Sequence, residues 1–253
     1  MVRLFLILIG LSLSGCSFIT GLTDSAFSSS SSIAQGSSTA LPPQRSNIAS
    51  GSSSSRQGGT SQIPVTHKAM WDSYRDPKGA YTGADLTRIT LRELDAQPDN
   101  FLATNPKDYR QWCPAFKSLG REGRKAFYLA LISGIARFES DFRASVKYLE
   151  SGGHYSRGIL QLGQLALSYY PDSRCDVSGD PRQLHDISEN LTCGVMLVSY
   201  WTQRDEHIAS NGNKGDGDAR YFGAARYWST LREGRRGYDQ ISAYTRALPI
   251  CGG

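Results

Sequence analysis

Apolar side chains are spread unevenly along this chain, and their spacing divides it. Leu4 to Leu13 form an apolar run interrupted only by Gly10 and Ser12. That run is far shorter than the ~20 residues a membrane-spanning helix needs. Residues 24 to 62 are dominated by serine, with almost no large apolar side chain after Phe27. Such a segment cannot bury enough apolar surface to offset its ordering entropy, so it is read as a flexible linker. Pro64, Pro77, Pro98, Pro106 and Pro114 punctuate the next stretch. They predict an irregular, wrapping extension over 63–115 with one short helix from Leu86 to Leu94. The clearest periodicity follows. Between Glu122 and Phe138, the residues Phe127, Leu131, Ile135 and Phe138 recur at three- and four-residue spacing, and Ala130 and Ile132 widen the stripe. This predicts a central, largely buried helix. A further helix is expected around Ala224 to Leu231, after a mobile turn rich in Asn, Asp and Gly at Asn211 to Asp218. The pattern as a whole predicts a mainly α domain over 63–253.

The amino-terminal run has the architecture of an export signal, with Arg3 before it and small residues after it. Leu13-Ser14-Gly15-Cys16 is similar to a bacterial lipobox. The resemblance implies removal of residues 1–15, acylation of Cys16 and a tether over 16–62. Ser17 in place of Asp after the cysteine points to the outer membrane, with the domain facing the periplasm. As a flexible coil the tether would let the domain range over about 35 Å. That suits a search along a fixed polymer near a membrane.

Charge narrows the partners. The chain carries Lys+Arg 28 and Asp+Glu 23, a net +5, of which Arg3, Arg45, Arg56 and Asp24 place +2 before the domain. The remaining balance is too weak for the basic stripe expected of a nucleic-acid binder. Apart from Cys16, four cysteines remain: Cys113, Cys175, Cys193 and Cys251. An even number in an exported chain predicts two disulfides. Three pairings are possible. The preferred one joins Cys175 to Cys193 and Cys113 to Cys251, stabilising by about 3 and about 4–5 kcal/mol on the loop-entropy model. A zinc site is disfavoured, because the spacings lack a Cys-x-x-Cys pair and a histidine at ligand distance.

The candidate chemistry begins where the strong helix ends. Glu139 extends that helix by one residue and so puts a carboxyl at the edge of an apolar core. Such an environment disfavours the charged form and raises the pKa, as a general acid requires. Behind Glu139-Ser140 come Gly158-Ile159-Leu160-Gln161, Leu184-His185-Asp186 with Asn190-Leu191 and Gly194, then Ala224-Ala225-Arg226-Tyr227-Trp228, and last Tyr244-Thr245-Arg246. In that order they resemble the motifs of the lysozyme-like lytic transglycosylases, which cut the glycan strands of bacterial peptidoglycan. The resemblance spans roughly 122–250. It implies a goose-type/lytic transglycosylase helical domain acting as a monomer without cofactor or metal. Glu139 matches the general acid/base. Ser140 matches the adjacent supporting serine, Gln161 a sugar-binding glutamine, and Tyr227 a tyrosine near the acid. Tyr244 would line the outer groove, Ser156 would face the sugar, and Asn190 is structural. The aromatic pair divides, with Trp228 assigned to packing and Tyr227 to the cleft.

The implied reaction cleaves the β-1,4 bond between N-acetylmuramic acid and N-acetylglucosamine without water, closing a 1,6-anhydro ring. There are departures. Ser188 replaces a proline, Trp228 an asparagine, and the loop from Glu139 to Gln161 is longer than usual. That loop carries Tyr148, Glu150 and His154. Glu150 could orient a water and make the enzyme a hydrolase, because two carboxylates are the commoner glycosidase scheme. Asp141 is a second candidate for that role. A wall-binding lipoprotein without activity is the alternative outside enzymology, and retention of Glu139 argues against it. The chain has no His-Glu-x-x-His helix, Gly-x-Ser-x-Gly elbow or phosphate loop. Asn211 to Asp218 lacks the spaced ligands of an EF-hand calcium loop.

Overall fold

A computed structural model describes residues 66–168, 174–212 and 220–252. The signal over 1–15, Cys16, the linker to 62 and most of the Asn211 to Asp218 turn lie outside the described residues. The chain divides into two units, Met1–Gln57 and Gly58–Gly253, and every described element belongs to the second.

That unit is mainly helical. Seven α-helices are described: α1 (Gly83–Asp95), α2 (Asp99–Ala103), α3 (Tyr109–Trp112), α4 (Arg121–Ser140), α5 (Gln164–Leu167), α6 (Ile187–Asp205) and α7 (Arg236–Arg246). The long helix read from the sequence is α4, and it is buried on all sides from Gly123 to Ala136. Its two buried cations do not contradict this, because each has partners, as buried charges require. Arg124 donates to the carbonyls of Leu119, Leu102 and Thr104 and to Asn105 Oδ1, at 2.8 to 3.1 Å. Lys125 reaches Asp95 at 2.8 Å.

The extension before α4 is more helical than its prolines suggested. Pro98 stands at the N-cap of α2, and Pro106 and Pro114 fall outside the helices. The prolines mark breaks between short helices. α1 begins three residues earlier than expected because Thr82 and Asp85 form a capping box, each side chain accepting from the other's backbone N–H. It packs on α6 and α4, while α7 packs on α4 from another side.

Two small antiparallel sheets complete the unit. One has the order β1 (Lys147–Leu149), β2 (Tyr155–Arg157), β3 (Leu162–Gly163), and the other pairs β4 (Ala209–Asn211) with β5 (Tyr221–Gly223). The helix expected over Ala224 to Leu231 is not there. Two single 3-10 turns, Ala224–Arg226 and Ser229–Leu231, flank Tyr227 and an extended Trp228. The Trp228 indole donates to the Leu160 carbonyl at 2.9 Å, a tertiary bond that outweighs local helix preference.

Both expected disulfides are present, Cys113–Cys251 and Cys175–Cys193. They close loops of 138 and 18 residues. The first fastens the carboxy terminus to the end of α3, and the second fastens the segment before α6 to that helix.

Asn190 ties α6 to the loop that carries β2 and β3. Its fully buried amide accepts from Leu160 N–H at 2.8 Å and donates to the carbonyls of Arg157 and Leu184 at 3.0 and 2.8 Å. The approach is close enough to require glycine at 158, where φ is +76° and a Cβ would collide with the Leu184 carbonyl and the Asn190 amide. Gly194 is needed for the same reason, since a Cβ there would strike Leu160. Replacing Asn190 by alanine leaves the buried Leu160 N–H and Leu184 carbonyl and the part-buried Arg157 carbonyl short of a partner. The expected loss is about 3 kcal/mol in chemical denaturation. A loss below about 1 kcal/mol would show that the amide is not what holds this loop.

Candidate active site

α4 carries Glu139 in its last turn and ends at Ser140. The chain then reverses through Asp141 and Phe142, both left-handed with φ of 55° and 62°. Side chains other than glycine rarely adopt this conformation, and it persists only where neighbours enforce it. Phe142 is buried edge-on against Trp71 and Tyr74, with ring centroids 6.3 and 6.1 Å away. Asp141 pairs with Arg137. Ser140 is buried and donates to the Ile159 carbonyl at 2.8 Å. A third left-handed residue, Gln161 at φ 49°, lies on the far side of the same loop.

These constraints shape a cavity of about 300 Å³. Glu139 lines it from the last turn of α4. Glu150, His154, Ser156, Gln161 and Gly163 form the wall built on the three-stranded sheet. Tyr227, Trp228, Ser229 and Arg232, from the segment after β5, form a second wall. Two bonds tie the walls together. Gly163 N–H donates to the Tyr227 hydroxyl at 2.7 Å, and the Trp228 indole reaches Leu160. Behind the second wall, buried Asp205 accepts two bonds from Arg226, at 2.6 and 3.0 Å, and one from Gly223 N–H at 2.8 Å.

The electrostatics centre on Glu139. Burial pushes its carboxyl up to about 7; the Glu150 carboxylate adds to the rise and Arg232 opposes it. The carbonyl end of α4 acts in the same direction as burial, because a helix C-terminus disfavours negative charge. Glu150 is held in place by Ser156, whose hydroxyl donates to it at 2.6 Å. Arg232 is fixed by the carbonyls of Ala225 and Arg226 at 3.0 and 3.3 Å, with its guanidinium 4.0 Å from the Tyr221 ring centroid. The pocket thus presents one carboxyl that keeps its proton near neutral pH, a second carboxyl and one guanidinium. That is an arrangement for proton transfer. Among the described residues, no group of three or more His, Cys, Asp or Glu side chains could hold a metal.

Of the residues expected from the sequence, Glu139, Glu150, Ser156, Gln161 and Tyr227 share this pocket. Ser140 does not line it, since its hydroxyl is spent on the Ile159 carbonyl. Gln161 lines it but commits its amide nitrogen to the Val146 and Gly158 carbonyls at 3.1 and 2.7 Å. Tyr244 lies elsewhere, in a separate depression with Met70, Phe138, Asp141 and Arg236. The packing of α7 on α4 puts it there. Asp141 is exposed and paired with Arg137, outside the pocket. Trp228 is buried as expected for packing, yet it also lines the cavity. Arg232 and Ser229 were missed. They follow the tyrosine motif with no periodicity or spacing that marks them.

A raised carboxyl pKa carries a stability cost whose sign is fixed. Below about pH 4.5 Glu139 is protonated in both folded and unfolded chains and costs nothing. Between about 4.5 and about 7 the unfolded chain releases the proton and the folded chain keeps it, so stability falls as pH rises. Glu139→Gln escapes this penalty. Its melting temperature is expected to exceed that of the wild type at pH 8 and to match it at pH 4. An advantage independent of pH would contradict the assigned origin of the shift.

No family model and no curated protein matches the chain. Solved structures do. Three of them are of Bd0314 DslA, a Bdellovibrio protein: the wild type in its second form and two glutamate-to-glutamine mutants. One mutant is 31% identical, with a TM-score of 0.60, covering 67% of this chain and 92% of that one. The other is 29% identical, with a TM-score of 0.62, covering 72% and 97%. The wild type is 30% identical, with a TM-score of 0.60, covering 71% and 98%. At that identity and coverage the chain belongs to the Bd0314 DslA family.

Proposed function

We propose that this chain cleaves the β-1,4 glycosidic bond between N-acetylmuramic acid and N-acetylglucosamine in peptidoglycan, and that it does so by hydrolysis. The observation that carries this reading is the pairing in one pocket of a carboxyl raised to about 7 with a second carboxyl fixed by Ser156. Glu139, with its carboxyl raised to about 7, is still substantially protonated at neutral pH, and in that form it donates to the glycosidic oxygen as the bond to the anomeric carbon breaks. Glu150 accepts a proton from the water whose oxygen bonds to that carbon. The proton lost by Glu139 is thus balanced by the one gained at Glu150, as in the inverting class of two-carboxylate glycosidases. The order of motifs behind Glu139 supports a lysozyme-like fold for the domain. A further support is the spacing in the relative. The two glutamates replaced in its solved mutants lie eleven residues apart, the separation of Glu139 and Glu150.

A non-hydrolytic reaction, with Glu139 as both acid and base and a 1,6-anhydro product, is the second reading. The placement of Gln161 and Tyr227 in the pocket favours it. It needs no Glu150. The lipobox-like Leu13-Ser14-Gly15-Cys16 supports a lipid anchor at Cys16 in the outer membrane, and the domain would then work on the wall from the periplasm.

Mass spectrometry of the soluble fragments released from purified sacculi distinguishes the two reactions. Hydrolysis gives reducing ends, and each of Glu139→Gln and Glu150→Gln lowers the rate by about 10²–10⁴-fold. The wild-type rate falls as pH rises through about 7, where Glu139 loses the proton it must donate. Fragments lighter by one water, with Glu150→Gln still active, would establish the non-hydrolytic reaction instead. Undiminished cleavage by Glu139→Gln would overturn both.

A further inference from the structure

The register of the three-stranded sheet decides which of its side chains face the pocket. Cross-strand partners point to one face of a sheet, and so do residues two apart along a strand. Tyr148 pairs with Ser156, and Ser156 pairs with Gly163. Glu150 follows Tyr148 by two, and its N–H donates to the His154 carbonyl at 2.8 Å, which continues the ladder. Glu150, His154, Ser156 and Gly163 all line the cavity that holds Glu139. Tyr148 therefore stands on the pocket-facing side of the sheet. It belongs to the edge strand β1 and so marks the rim, where the wall meets solvent.

Its exposure is not explained by packing. Tyr148 is 64% exposed, the most of any large apolar side chain among the described residues. Among those residues its side chain makes no hydrogen bond and no ring contact. The neighbouring Leu149 is 54% exposed but occupies the other face, with its partner Tyr155. There, Lys147 and Arg157 sit 5.0 and 5.1 Å from the Tyr155 ring centroid.

We propose that Tyr148 is the platform of a sugar subsite at the rim of the cleft, stacking on the C–H face of a pyranose ring of the same strand that Glu139 cleaves. The inference rests on the glycan reading given above. A pyranose presents apolar C–H groups on its face and hydroxyls at its edge. The negative face of an aromatic ring attracts those C–H groups while the hydroxyls stay in water. The phenol hydroxyl can also exchange hydrogen bonds with the sugar's edge. A cavity of about 300 Å³ is at the small end for a ligand site. A polymeric substrate must therefore continue over the rim, and the sheet offers Tyr148 there. The subsite lies away from the reacting atoms, so it contributes affinity for extended strands and not rate at the bond.

Steady-state cleavage of purified glycan strands by the full chain and its variants tests this. Tyr148→Val keeps a residue suited to a strand and removes the ring. It is expected to raise KM about five- to tenfold, with kcat within about twofold of wild type. Tyr148→Trp stays near wild type, and Leu149→Ala, on the opposite face, changes neither constant. An unmoved KM in Tyr148→Val would overturn the proposal while leaving the glycan reading intact. So would a fall in kcat alone, which would mean that Tyr148 acts through Glu150, or an equal rise in KM for Leu149→Ala. A wild type that cleaves no glycan would remove the glycan reading and the subsite together.

Discussion

Glu139 sits where three influences oppose its ionisation: burial, the carbonyl end of α4 and the nearby Glu150 carboxylate, with Arg232 alone on the other side. The rest of the pocket follows from holding that carboxyl in place. A helix buried on every side from Gly123 to Ala136 fixes its position. The reversal at Asp141 and Phe142 turns the chain at once, and the turn after β1 brings Glu150 to the same pocket. Without that reversal, the two acids eleven residues apart would have no reason to meet.

The reversal is unfavourable in itself. Two consecutive left-handed residues that are not glycine, and a third at Gln161, cost of order 1–3 kcal/mol each. The compensation is visible around them. Phe142 is packed between Trp71 and Tyr74, Ser140 bonds across to Ile159, and the Gln161 amide binds two carbonyls of its own loop. The second wall is secured in the same manner, by the Asp205–Arg226 pair behind and by Tyr227 and Trp228 in front. Much of what lines the pocket therefore also holds it together. This is why Gln161 and Tyr227 are both wall and scaffold, and why their polar atoms are not all free to meet a ligand.

The parts of this arrangement that were legible in the sequence are those set by local pattern or by one-residue chemistry. The stripe from Phe127 to Phe138 marked α4, the position of Glu139 after that stripe marked its burial, and the cysteine count marked two bridges. Asn190 was read as structural from its place in a motif; that Gly158 must be glycine emerged only from the close approach of the Asn190 amide and the Leu184 carbonyl. What was not legible depends on the tertiary path. The stretch from Ala224 to Leu231 has the look of a helix, and only the bond from Trp228 to Leu160 reveals why it is extended. Arg232 enters the pocket because that segment is irregular, so the same misreading hid it. Tyr244 was placed by its position in a motif, and the packing of α7 on α4 sends it to another surface.

The central claim is that Glu139 holds a proton near neutral pH because it is buried beside Glu150. The most direct measurement is a titration of the Glu139 side-chain carboxyl carbon by NMR, in the wild type and in Glu150→Gln. The account predicts a midpoint at about 7 in the wild type and a lower one once the neighbouring charge is gone. A midpoint near the ordinary glutamate value in both proteins would contradict it.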